Sequence, residues 1–180
     1  MASSARACDT QAPRRGRRAV GSLGAVPTPA KVLTVSESVH AGTRDDRSGE
    51  ALAELLAARG YEVVERRCVP DGRRPVAAAL EEMASGFSGL IVTTGGTGFS
   101  PTDCTPEGTL AVLERQAPGL AEAMRAVSPL GKLSRGAAGT IGRALVVNLP
   151  GSPAGATESI EAIADVLPHA LDLLAGGRPH

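Results

Sequence analysis

The run Gly89-Leu90-Ile91-Val92-Thr93-Thr94 is apolar at consecutive positions and stops in Thr94-Gly95-Gly96-Thr97-Gly98. A strand that must hide both faces belongs in the middle of a parallel sheet, under helices on each side. Three glycines in four positions directly after it permit positive φ and close approach by a ligand. Successive N–H groups in such a turn form a nest for an anion. A simple tight turn needs only one glycine or two, so the loop reads as an anion contact once its following segment is included.

The flanking sequence repeats the same alternation. Lys31–Val35 reads as a buried strand, and Leu52, Leu55 and Leu56 mark one helical face that Arg59-Gly60 closes. Tyr61–Cys68 reads as a more exposed strand. Val76, Leu80 and Met83 give a second helix. Thr105 as N-cap with Pro106 behind it starts a third, with Leu110 and Leu113 facing inward. Pro118–Val127 is a fourth helix and Ala144–Leu149 another buried strand. Ile160, Ile163, Leu167, Leu171 and Leu174 form a last apolar face, bent at Pro168. The expected class is therefore α/β, three layers, with a mostly parallel sheet and helices on both faces. At 180 residues this is one domain, placed at 29–178.

Residues 1–28 carry five arginines against Asp9, with Ala, Ser, Gly and Pro and no apolar period. They read as a disordered extension without the uninterrupted apolar core of a signal peptide. The formal charge of the chain is zero, so the domain itself is mildly acidic, a poor match for nucleic acid. Its few aromatics, Tyr61, Phe87 and Phe99, offer no base-stacking platform. Cys8, Cys68 and Cys104 form no CxxC, and His40, His169 and His180 no ligand spacing, so a disulfide framework and a structural zinc site are not expected. No apolar run approaches a membrane span. The expectation is a soluble, cytoplasmic protein.

Ligands of open α/β sheets bind beyond the carboxyl ends of the strands. After the glycine loop comes Phe99-Ser100-Pro101-Thr102-Asp103-Cys104-Thr105-Pro106-Glu107, ending at a helix N-terminus, where anions are favoured. Asp103 either caps that helix or binds magnesium beside a phosphate, and locally the two roles are balanced. Val69-Pro70-Asp71-Gly72 taken alone is a turn. The polar stretch Arg44–Gly49 reads as a solvated loop, with Asp46 or Ser48 capping the next helix. Ser36 follows the first strand, Pro150-Gly151-Ser152 follows the last, and Ser134-Arg135 offers a hydroxyl and a guanidinium suited to phosphate or carbonyl contacts, with a surface role equally open from local sequence. Cys104 has no histidine nearby in sequence and reads as a small semi-buried residue. The chain contains no GxxxxGK[ST], and Pro101 breaks a GxGxxG begun at Gly96, which excludes the two common nucleotide loops.

Four stretches in this order carry a resemblance: Asp46–Gly49, Thr93–Glu107, Pro118–Arg125, and Leu133-Ser134-Arg135 through Asn148-Leu149-Pro150-Gly151. Together they resemble the molybdenum cofactor biosynthesis domain of the Mog and MoaB proteins and the gephyrin G domain, over roughly residues 29–175. GGTG followed by D-x-T-P-E is the specific part. The resemblance implies a homotrimer or hexamer that adenylylates molybdopterin with ATP and magnesium, releasing pyrophosphate, ahead of a molybdenum-insertion enzyme. By motif position it makes Asp71 and Asp103 the catalytic, magnesium-holding pair. Thr94, Gly95, Gly96, Thr97 and Gly98, with Ser36, Ser134, Arg135, Pro150, Gly151 and Ser152, become the substrate contacts. Glu37 stands where many members carry aspartate, and Phe99–Thr102 lacks the basic residue that several place before Asp103. Two other readings are a MoaB-like or gephyrin-like binder with little catalysis and a CinA-type nucleotide pyrophosphatase domain.

Overall fold

A computed structural model describes residues 27–178. The sequence-expected extension lies outside the described residues except for Pro27 and Thr28, and Thr28 already opens the first strand. In chain order the elements are β1 (Thr28–Val35), α1 (Glu37–His40), α2 (Arg47–Ala58), β2 (Tyr61–Val69), α3 (Arg73–Ala84) and β3 (Ser88–Thr94). There follow α4 (Thr105–Leu110), β4 (Arg115–Gln116), α5 (Pro118–Ala126) and a 3-10 turn at Pro129–Leu133. The chain closes with β5 (Ala138–Ile141), β6 (Arg143–Leu149), α6 (Pro153–Glu161) and α7 (Leu167–Ala175).

The six strands form one sheet in the order β2-β1-β3-β6-β5-β4. The first four in that row run parallel, while β5 and β4 add an antiparallel edge. This is the expected α/β class. Alternation along the strands divides the core in two. Val32, Leu90, Val92, Leu145 and Val147 meet α2, α5, α6 and α7 on one face. Leu33, Val35, Ile91 and Val146 meet α3 on the other. β3 is buried along nearly its whole length, as its sequence requires. β2, on the open edge, alternates half-buried with exposed positions.

Three details depart from expectation. The sheet has two strands, β4 and β5, that the sequence pattern did not announce. The last apolar face is two helices rather than one bent helix, because Pro168 sits in the first turn of α7 and cannot continue α6. Leu110 is 44% exposed, since α4 ends at that residue, while Leu113 packs inward as expected.

Register sets up the site. Val35 pairs with Val69, Thr34 with Thr94, and Thr94 with Leu149. The parallel strands therefore end level with one another, and every loop singled out from sequence leaves the same edge.

Candidate active site

Gly95 and Gly96 sit at φ +99° and +61°, a region that L side chains avoid. Space excludes a side chain as well. A Cβ on Gly95 would lie 2.3 Å from the Val35 carbonyl oxygen, and one on Gly96 would lie 2.4 Å from Thr105 Oγ1. The loop is thus pressed between β1 and α4. The Gly95 N–H donates to the Leu149 carbonyl (3.3 Å), the Thr105 N–H to the Gly96 carbonyl (3.0 Å), and Thr94 Oγ1 to the Pro150 carbonyl (2.8 Å). Gly151 packs directly on Gly95, where a Cβ would come within 3.2 Å of the Gly95 Cα. These contacts bring the 94–98 loop and the 150–152 turn together as the sequence reading required.

Asp71 and Asp103 flank this loop. One Asp71 oxygen accepts the Glu37 N–H at 2.9 Å, and the other lies 3.2 Å from the position of a Gly96 Cβ. Asp103 Oδ2 accepts the Ser100 N–H at 2.9 Å and stands equally close to a Gly98 Cβ position. Both side chains are half-buried. Asp103 therefore closes the 100–103 turn and does not cap α4. Thr105 does not cap it either: it is already the first residue of the helix, Cys104 holds the cap position without a side-chain bond, and the Thr105 N–H is given to the Gly96 carbonyl. The Thr105 hydroxyl is sealed behind the loop with no partner.

Among the described residues no three or more His, Cys, Asp or Glu side chains converge on a metal position. Magnesium does not need such a cage, since it is commonly held by one or two carboxylates plus substrate phosphates and water. Asp71 and Asp103, each with an oxygen beside a glycine that leaves room, fit that donor set.

Of the phosphate or carbonyl contacts expected of it, Arg135 makes the carbonyl ones. Its Nε donates to the Gly98 carbonyl at 2.7 Å and a terminal nitrogen donates to the Asp103 carbonyl at 2.5 Å, while another pairs with Glu107. Its plane lies over Phe99, 5.8 Å from the ring centre. Burial opposes ionisation of Glu107, but the Arg135 hydrogen bond and charge outweigh it and hold that carboxyl below its ordinary range. Arg135 thus ties the glycine loop, the Asp103 turn and α4 into one unit. Beneath them Asn148 is 2% exposed and saturated: Oδ1 accepts the Ala137 N–H, and Nδ2 donates to Thr93 and Thr109.

Two cavities open on this edge. One, of about 430 Å³, is lined by Thr97, Ser134, Pro150 and Ser152 together with Met124, Leu130, Leu133 and Glu158. The other, of about 320 Å³, is lined by Ser36, Thr94, Gly95 and Gly151, with Arg44, Arg47 and Ser48. Each therefore receives part of the expected substrate set. Met124 and Leu133 belong to stretches that carry the resemblance but were not singled out as contacts, and Leu130 and Glu158 were not singled out from sequence at all. Ser36 caps α1, Ser152 caps α6, and the Ser134 hydroxyl accepts the Gly136 N–H, so all three hydroxyls already have a local hydrogen-bond role.

A glycine nest, two carboxylates and paired cavities at the carboxyl edge of a doubly covered parallel sheet define an α/β protein that handles phosphorylated ligands. Comparison with known proteins specifies the kind. Residues 31–169 match the family described as "Probable molybdopterin binding domain". A molybdopterin adenylyltransferase of Helicobacter pylori is 36% identical over 152 residues, covering 81% of this chain and 86% of that one. The crystal structure of the molybdopterin biosynthesis enzyme MoaB from Thermus thermophilus superposes with a TM-score of 0.78 at 46% identity, over 84% of this chain and 98% of its own. The chain belongs to the molybdopterin-binding domain family of molybdenum cofactor biosynthesis. A CinA protein from Thermoplasma acidophilum, at 20% identity and a TM-score of 0.60, shares the fold alone.

Proposed function

We propose that this protein is a molybdopterin adenylyltransferase, a nucleotidyltransferase that joins AMP from ATP to molybdopterin and releases pyrophosphate. The similarity to enzymes of that name supports the reaction class. The observation that carries the reading is that two cavities border one glycine loop, Thr97 lining one and Thr94 and Gly95 the other, while Asp71 and Asp103 stand beside Gly96 and Gly98 of the same loop and line neither cavity. Two substrates need two chambers and a common phosphate rim. A binder of molybdopterin alone has no use for the second chamber or for both aspartates.

The reaction asks for positioning and charge neutralisation more than covalent chemistry. The pterin phosphate oxygen attacks the α-phosphorus, and the bond to the departing pyrophosphate breaks in line. Backbone N–H groups at Gly96–Gly98 are disposed to receive phosphate oxygens. Asp71 and Asp103 would hold magnesium, which would offset charge on the phosphates. Arg135 keeps the loop and Asp103 in fixed relation. Thr97, Ser134, Pro150 and Ser152 face one ligand, and Ser36, Thr94, Gly95 and Gly151 the other. Homotrimer assembly, action in the cytoplasm and a downstream molybdenum-insertion enzyme as partner follow from the family resemblance. Among the described residues no helix is long and apolar enough to cross a membrane.

The test is pyrophosphate release with ATP, magnesium and molybdopterin. Asp103→Asn keeps an oxygen for the Ser100 N–H and so keeps the turn, but removes the charge. Turnover near that of the unsubstituted protein would remove Asp103 from catalysis.

A further inference from the structure

The segment before Asp103 offers no cation, since Phe99-Ser100-Pro101-Thr102 is uncharged. The Arg135 guanidinium is committed to the loop itself. A reaction on a polyphosphate needs positive charge from protein as well as from metal. Arg73 and Arg74 open α3 at this edge but line neither cavity, so the cavity-lining cations are others. Arg44 and Arg47 line the 320 Å³ cavity together with Ser36, Ser48, Thr94 and Gly95.

Three observations bear on these arginines, and the last, their place at the switch point of the sheet, sets them apart from Arg73 and Arg74 in the first turn of α3. Among the described residues neither guanidinium has an acceptor, although Asp46 lies beside them: its carboxylate is taken by Thr34, the Gly49 N–H and Arg66. Arg47 occupies the first turn of α2, where the helix dipole disfavours a cation, so helix stability does not explain it. Finally, the cavity lies between the ends of β1 and β3. In the order β2-β1-β3-β6 the chain leaves β1 toward one side and β3 toward the other, which makes this the switch point of the sheet. Ligands of open α/β sheets bind at that crevice. The 320 Å³ cavity is walled by these two arginines and Asp45, a net positive lining, whereas the neighbouring 430 Å³ cavity has Glu158 as its one charged wall residue beside Met124, Leu130 and Leu133.

We infer that the cavity at the β1/β3 switch is the polyphosphate chamber, that Arg44 and Arg47 grip the β- and γ-phosphates that leave as pyrophosphate, and that the apolar cavity takes the ring system of the other substrate. This rests on the adenylyltransferase reading. Arg44 and Arg47 supply the positive charge that the 99–102 segment lacks. Because both side chains are solvent-exposed, their hold on phosphate weakens with salt.

The experiment compares the unsubstituted protein with Arg44→Gln and Arg47→Gln. Neither change removes a side-chain bond of the fold. Steady-state turnover is measured against ATP and against molybdopterin, and the thermal shift caused by tripolyphosphate with magnesium is recorded in parallel. Each substitution is expected to raise the KM for ATP about tenfold, leave the KM for molybdopterin unchanged and diminish the tripolyphosphate shift. An unchanged KM for ATP, or a rise confined to molybdopterin, overturns the assignment while the enzyme reading stands. If the unsubstituted protein makes no adenylylated pterin, the enzyme reading fails instead. The tripolyphosphate shift then decides the chamber by itself: loss in the variants supports it, and an undiminished shift overturns it.

Discussion

Gly96→Ala tests the loop geometry at its tightest point. Holding alanine at φ +61° costs about 1–2 kcal/mol, because the left-handed region crowds Cβ against the backbone. Its Cβ would also arrive 2.4 Å from Thr105 Oγ1, which is about 1 Å inside ordinary packing distance. Thr105 cannot swing away, since it is fully buried and its N–H is fixed to the Gly96 carbonyl. Relief by local shifts adds about 1–3 kcal/mol of overpacking. The expected loss is therefore about 2–5 kcal/mol in urea unfolding, and a loop displaced by about 1 Å costs about a hundredfold in turnover. Thr105→Ala separates the two parts. Its hydroxyl has no partner to lose, and in the double variant the nearest Thr105 atom to the new Cβ is the one at 3.5 Å. The double variant should recover the overpacking share and part of the activity, but not the backbone share. Gly96→Ala with unaltered stability and turnover would refute the pressed-loop account. A double variant no better than Gly96→Ala would refute the assignment of the clash to Thr105.

Asn148→Leu should lose about 2–4 kcal/mol in urea unfolding, because the Ala137 N–H is left buried without an acceptor and two threonine hydroxyls lose their donor. Arg135→Gln should lower turnover by more than about tenfold with a smaller change in KM for either substrate, because the loop and Asp103 lose a common brace. It should also change the acid profile. The folded-state carboxyl of Glu107 lies below its ordinary value of about 4.5, so its stabilisation is present above that value and fades as pH falls through the folded one. Thermal melts from about pH 6 to about pH 3 should fall more steeply for the unsubstituted protein than for Arg135→Gln. Burial, reinforced by Asp46 and Asp71, pushes the Cys68 thiol up, so its alkylation should be slow at neutral pH and accelerate only in alkali.

The parts of the fold that sequence disclosed are those where burial and periodicity agree. β1, β3 and β6 are apolar runs, and β2 alternates, because a central strand hides two faces and an edge strand one. β4 and β5 escaped because they are two and four residues long and lack branched or aromatic runs. Pairing with β6 makes them strands, and Gly139 is needed where Leu113 and the Arg115 carbonyl press against it. The glycine loop and Asp103 left a local trace, whereas Asp71 read alone as a turn and was singled out only by the family resemblance. Thr105 misled because Thr-Pro-Glu has the composition of a cap, while the helix starts one residue earlier and the Thr105 hydroxyl turns toward Gly96, a contact nine residues away in sequence. The commitment of Arg135 to Glu107, and the position of Arg44 and Arg47 beside the loop, depend on contacts between distant segments. No local pattern carries them.

The central claim is most directly tested by mixing the protein with molybdopterin, ATP labelled at the α-phosphate and magnesium, then separating the pterin products. The account predicts label on the pterin with one pyrophosphate released per adenylylated molecule, and loss of both products in Asp71→Asn and Asp103→Asn. Molybdopterin bound tightly, with no label transferred and no pyrophosphate released, would contradict it and make this a binding protein.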